Sequence, residues 1–183
     1  MKCYKTYLLF FLLCIFSSNI FGQPIDFSKW KNLIVYGNGF AFGVKEPEGW
    51  TGDTENAEEF HSNIIFYKSK SDLDNGGALV QVYSFNKLDE KTEQDLEYDI
   101  QTYVLQYPDL KQENFEVSHK DFKCYSKMMF VENKFYQYTV YVNPGVKFTS
   151  GSSVAMNISN RRANEDELQA FRGIIASLMM MGG

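Results

Sequence analysis

Phe122-Lys123-Cys124-Tyr125-Ser126-Lys127-Met128-Met129-Phe130-Val131-Glu132-Asn133-Lys134-Phe135-Tyr136-Gln137-Tyr138-Thr139-Val140-Tyr141-Val142 decides the fold class of this chain. In its first half Phe122, Cys124, Met128 and Phe130 share one face of an extended chain, while Lys123, Tyr125 and Lys127 share the other, because successive side chains of a strand point to opposite sides. Cys124 therefore points inward. Glu132-Asn133-Lys134 interrupts the pattern as a turn, and residues 135–142 resume it with aromatic and β-branched side chains suited to a pleated surface. The two runs form a long hairpin within a region, residues 115–143, that reads as strand.

On the amino-terminal side of this hairpin, Leu96, Ile100, Tyr103, Val104 and Tyr107 recur at helical spacing, which predicts a helix over residues 92–107 that Pro108 stops. Thr92 with Asp95 resembles a capping box, and Glu93 and Asp95 suit the positive end of the helix dipole. On the carboxy-terminal side, Asn143-Pro144-Gly145 turns the chain, residues 153–158 read as a strand, and a last helix starts at Asn164. Glu167 completes its cap, and Leu168, Phe171, Ile175, Leu178 and Met179 carry it toward Gly182.

Further upstream, Leu33-Ile34-Val35-Tyr36 and Phe40-Ala41-Phe42-Gly43-Val44 are short strands around a tight turn at Gly37-Asn38-Gly39, where positive φ is cheap. The acidic residues 53–59 read as a loop or short helical turn leading into the strand Ile64-Ile65-Phe66-Tyr67. Asp72-Leu73-Asp74-Asn75-Gly76-Gly77 reads as a turn, and residues 78–85 as another strand. Strands, a helix, antiparallel strands and a final helix predict an α+β domain: a largely antiparallel sheet with a central and a C-terminal helix packed on it.

The chain opens with Lys2 and Lys5, then nine apolar residues, Leu8 through Phe16, then Ser17-Ser18-Asn19-Ile20-Phe21-Gly22. That is the order of a secretory signal peptide, and the run is short of the roughly 20 apolar residues a spanning helix needs. Cleavage is expected near Gly22, leaving residues 23–183 as a single domain that works in the periplasm or is secreted. Ile20 departs from the usual small-residue rule, so the scissile bond is less defined than the segment. Cys14 would be lipidated only within a lipobox, which wants a small residue where Leu13 stands. Without residues 1–22 the chain keeps 16 basic and 23 acidic groups, a formal charge of −7. That balance argues against nucleic acid and anionic membrane surfaces as partners. Cys124 becomes the sole thiol of the mature chain, so no internal disulfide is expected and the fold stands on a core rich in Phe and Tyr.

Gly39-Phe40-Ala41-Phe42-Gly43-Val44-Lys45-Glu46-Pro47-Glu48-Gly49-Trp50 resembles the opening motif of the PsbP-like family, an apolar strand followed by Pro, a small residue and Trp. The family also has a central helix, an aromatic hairpin strand like residues 135–142, and a closing helix whose ending Ile174-Ile175-Ala176-Ser177-Leu178 matches. The resemblance covers residues 40–181 and rests on order and spacing. It implies the αβα sandwich shared by photosystem II PsbP, DcrB-like envelope proteins and a Ran-binding nuclear import factor. It also implies a protein that binds or stabilises other proteins, since such relatives are not generally enzymes. None of the family's functional residues carries over, since the matched motifs belong to the scaffold.

Residues that suggest chemistry read as structure when their spacing is counted. In Gly37-Asn38-Gly39-Phe40-Ala41-Phe42-Gly43 the third glycine comes one residue late for a dinucleotide loop, and no helix follows to receive a phosphate. With Gly76 in the sixth position of a calcium loop, the first and third positions are Ser71 and Leu73, which supply no carboxylate. His61 and His119 lie in different elements without metal-ligand spacing, and both read as surface residues. An inward Cys124 is an inert thiol. No catalytic residue, metal ligand or cofactor is therefore assigned.

What remains is a set of candidate binding residues. Trp50 and the acidic group that follows it, Asp53, Glu55, Glu58 and Glu59, read either as a solvated loop or as a contact surface for a basic partner or a loose cation site. Tyr136, Tyr138 and Tyr141 read as sheet surface or, where alternation sends them outward, as a protein-binding patch. The expectation is an exported, non-catalytic accessory domain that binds another protein, with a carrier of a small apolar ligand or an uncharacterised enzyme as the rival readings. Partner identity and oligomeric state are not written in the sequence.

Overall fold

The computed structural model describes residues 32–37, 40–87, 92–145 and 148–181. The expected signal peptide, residues 1–22, lies outside them. Among the described residues ten strands and three α-helices follow in chain order: β1 (Asn32–Gly37), β2 (Phe40–Lys45), β3 (Thr51–Asp53), β4 (Ile64–Tyr67), α1 (Lys70–Asp74), β5 (Leu79–Asn86), α2 (Thr92–Gln106), β6 (Lys111–Asn114), β7 (Lys123–Val131), β8 (Phe135–Asn143), β9 (Ser150–Ser159), α3 (Glu165–Ser177) and β10 (Met179–Met181). A 3-10 turn, Ala57–Phe60, precedes β4. The result is the α+β class expected from the sequence, with antiparallel sheets throughout.

Seven strands form the main sheet in the order β3-β4-β5-β9-β8-β7-β6, and β1-β2-β10 form a smaller one. The hairpin that decided the class is β7 and β8, paired from Lys123 opposite Asn143 to Val131 opposite Phe135. Its turn holds Asn133 at φ 59°, a left-handed conformation that asparagine tolerates, and Lys134 N–H bonds Val131 O at 3.0 Å. After β5 the chain leaves the middle of the sheet, runs across its face as α2, and re-enters at the far edge as β6.

Each face of the main sheet has its own core. On one, α3 and strand β2 of the small sheet cover even-numbered residues of β8 and β9. Phe42, Ile64, Phe66, Met156, Phe171, Ile174 and Ile175 are buried there, each contributing about 1.5–3 kcal/mol by leaving water. On the other, α2 lays Leu96 and Ile100 against Met129 and Tyr141, with Tyr103 and Val104 at the margin. Beyond α2 the same face is covered by the 3-10 turn and α1, where Ala57, Ile65 and Tyr67 pack with Phe60, Leu73 and Leu79. Helical cover on both faces makes the αβα sandwich that the resemblance implies.

The structure corrects several local expectations. Residues 70–74, which overlap the start of the segment 72–77 read as a turn, form α1; Ser69 Oγ caps it by accepting from Asp72 N at 3.0 Å. Gly76 then reverses the chain at φ +74°, and an added Cβ there would meet Ser159 Cβ at 2.6 Å. Thr92 is the first helical residue of α2 and not its cap. The strand before the hairpin is the fully exposed Lys111–Asn114, while residues 115–122 are irregular. The last helix ends at Ser177, and the methionines after it add an edge strand to β2, with Met180 opposite Phe42. The cap of that helix is as expected: Asn164 Oδ1 accepts from Glu167 N, and Glu167 Oε2 accepts from Asn164 N, both at 2.9 Å.

Candidate functional site

The turn 47–50 places Trp50. Trp50 N–H bonds Pro47 O at 3.1 Å while Gly49 adopts φ +75°, the conformation that position of a type II turn requires. The indole is 5% exposed and belongs to the core, with Lys68 Nζ 5.9 Å from the ring centre. β3 then carries the chain to Asp53, which organises the acidic segment. Its Oδ1 accepts from the backbone N–H groups of Glu55 and Asn56, each at 2.9 Å, and its Oδ2 from Asn56 Nδ2 at 2.6 Å. Tyr67 adds a fourth bond, donating its hydroxyl to Oδ2 at 3.2 Å. The Asn56 backbone N–H, foremost among these donors, holds the Asp53 carboxyl below the usual carboxylate range.

The 3-10 turn that follows is tied to the sheet by an amide network. Gln81 Nε2 on β5 donates to Phe60 O at 2.8 Å and to Ser62 Oγ at 3.2 Å, and Asn157 Nδ2 on β9 donates to Gln81 Oε1. The turn therefore stands as a fixed wall facing α1. Between the two walls lies an open pocket of about 550 Å³. Ile65, Leu79 and Phe135 are among its apolar lining; the exposed Glu59 and Asp74 and the partly exposed Asp53 supply carboxylates, and Lys70 supplies an ammonium. The volume falls within the range of ligand-sized pockets.

Of the residues singled out from the sequence, Asp53 and Glu59 meet at this pocket. Glu55 and Glu58 are exposed on the same segment without lining it. The aromatic candidates are placed differently from the outward patch considered above. Tyr138 is 4% exposed, and its hydroxyl accepts from Ala163 N at 3.1 Å at the start of α3. Tyr141 is 3% exposed under α2, with its hydroxyl donating to Asp99. Burial is the foremost cause that pushes the Tyr141 phenol upward. Tyr136 is half-buried, stacked on Phe130 at 5.2 Å with the Arg162 guanidinium 5.7 Å from its ring. Tyr138 lies in the main core and Tyr141 on the opposite face under α2, so both faces are covered and neither side chain presents a docking surface.

Sequence reasoning missed the α1 wall, Lys70, Leu73 and Asp74, because a five-residue helix has too few turns to show periodicity. It also missed Phe135, Asn157 and Ser159, which reach the pocket from two strands whose adjacency only the pairing β8 to β9 creates.

The histidines have structural positions. His61 is exposed at φ 53°, ending the 3-10 turn. His119 is partly buried: its Nδ1 accepts from Asp121 N at 3.1 Å and Phe122 N at 3.2 Å, so in the neutral ring Nε2 donates to Leu178 O at 3.0 Å. This correction to the surface reading makes His119 a clasp between the irregular segment 115–122 and the end of α3. Among the described residues no group of three or more His, Cys, Asp or Glu could hold a metal ion, and no helix is long and apolar enough to cross a membrane.

The architecture thus defines an α+β sandwich of PsbP-like type, with a pocket between its 3-10 turn and its shortest helix. Among solved structures it is similar to the solution structure of cyanobacterial PsbP (CyanoP) from Synechocystis sp. PCC 6803, at 14% identity and a TM-score of 0.46, over 88% of this chain and 99% of that one. No protein-family model matches the chain, and no curated protein does.

Proposed function

We propose that the chain is exported with cleavage near Gly22, and that residues 23–183 serve as a non-catalytic accessory domain that binds another protein through the pocket beside the 3-10 turn. The observation that carries this reading is the pocket itself, about 550 Å³ with carboxylates above an apolar floor and one wall pinned by Asp53 and Gln81. A wall held by hydrogen bonds within the domain loses little entropy on binding. Cys124 packs against the main core and His119 is hydrogen-bonded within the fold, which supports the non-catalytic reading for these two side chains.

Site-specific photo-crosslinking from Glu55, an exposed neighbour of the pocket, tests the proposal in the native envelope. A discrete crosslinked protein is the expected result, with a mature amino terminus near Gln23 by mass spectrometry. Crosslinks no different from those of a probe at exposed Lys120, on another part of the surface, would overturn it.

The apolar floor favours one rival, a carrier of small apolar ligands. Native mass spectrometry of protein purified from its own envelope would reveal such a ligand as a reproducible added mass that disappears on unfolding.

A further inference from the structure

The charge and shape of the pocket specify what it accepts. Glu59 and Asp74 are exposed and make no hydrogen bond or ion pair within the described structure, whereas the floor residue Ile65 is 1% exposed. With Asp53, three carboxylates stand against one ammonium, Lys70, so the lining is net anionic around an apolar base. A carboxylic or phosphate ligand would meet repulsion here, and a purely apolar ligand would leave the carboxylates without a counter-charge. An arginine or lysine side chain lying across the pocket satisfies both parts, with its methylene stem on the floor and its cation at the rim. Arginine is the better match, because its planar guanidinium pairs with carboxylates through two parallel bonds and stacks on aromatic rings such as Phe60 and Phe135, both in the lining.

We infer that this pocket receives an arginine side chain from a basic segment of the protein partner. The inference rests on the protein-binding reading above and names its chemistry. Asp53 is not varied in testing it, because its carboxylate holds the turn. The neutral double variant Glu59→Gln/Asp74→Asn removes two charges that support no other contact, and its thermal midpoint should stay near that of the parent.

The test is an NMR titration of the ¹⁵N-labelled mature domain with a short peptide carrying two arginines, and with the same peptide carrying citrulline at those positions. The arginine peptide should shift the amides of Gly76, Gly77 and Ser159, which line the pocket, and raised salt should weaken its binding. In the double variant it should bind about fivefold more weakly, as expected for the loss of two exposed ion pairs. Equal binding of the citrulline peptide, or shifts confined to other parts of the domain, would overturn the inference. So would an affinity unchanged in the double variant. A partner crosslinked at Glu55 whose capture survives Glu59→Gln/Asp74→Asn would overturn this inference while leaving the protein-binding proposal standing.

Discussion

The Tyr67 hydroxyl donates to Asp53 Oδ2 at 3.2 Å, joining the inner strand β4 to the loop that forms one wall of the pocket. The bond crosses a short ladder in which Thr51 pairs with Tyr67 and Asp53 with Ile65. β3 has only three residues, so side-chain bonds supplement a ladder too short to define the loop. The acidic segment is therefore built onto the sheet and held in place by a carboxylate that serves structure first.

Tyr67→Phe keeps the buried ring and removes this bond alone. Urea unfolding should show a loss of about 0.5–1.5 kcal/mol. Asp53→Ala, which removes all four bonds of the carboxylate, should cost more than Tyr67→Phe. Equal stabilities of the two variants would mean that Asp53 does not organise the turn.

Glu167 links acid stability to the start of α3. Its side chain is 3% exposed and accepts two hydrogen bonds from the Arg161 guanidinium, at 2.8 Å to Oε2 and 2.7 Å to Oε1. The Arg161 hydrogen bonds are the foremost cause holding its carboxyl below the usual value. Because the folded pKa is depressed, the stabilisation is fully present above the unfolded value and is lost as pH falls through the folded one. Denaturation midpoints should decline on acidification from about pH 4.5 downward, and Glu167→Gln should blunt that decline while costing about 1–3 kcal/mol at pH 7. A variant with the parent's full acid dependence would assign it to other carboxylates.

Cys124 packs against the main core, and burial pushes its thiol up to about 11. At pH 8 the native protein should react with a disulfide reagent about a hundredfold more slowly than the unfolded chain, since the thiolate is the reactive species. Comparable rates in the two states would place the thiol in solvent.

The fold was legible wherever burial imposes a period. Alternation in residues 122–142 gave both strands of the hairpin, and the spacing of Leu96, Ile100 and Tyr103 gave the central helix. The cap at Asn164 was legible because its chemistry is local, with donor and acceptor three residues apart. Elements without a buried face left no such trace. Lys111–Asn114 is exposed at every position, so it is a strand by virtue of its partner β7 alone. Met179–Met181 continues an apolar helical pattern and becomes a strand because β2 offers it an open edge.

For the candidate site, the sequence by itself determined the acidic segment, its turn chemistry and the net negative charge, all properties of neighbouring residues. Tertiary structure alone decided which of those carboxylates meet an apolar floor, because Asp53, Asp74, Phe135 and Asn157 come together only through strand pairing across the sheet. It also decided that Tyr138 and Tyr141 are core, since alternation assigns a side chain to a face of the sheet and only the packing of α2 and α3 determines whether that face meets water.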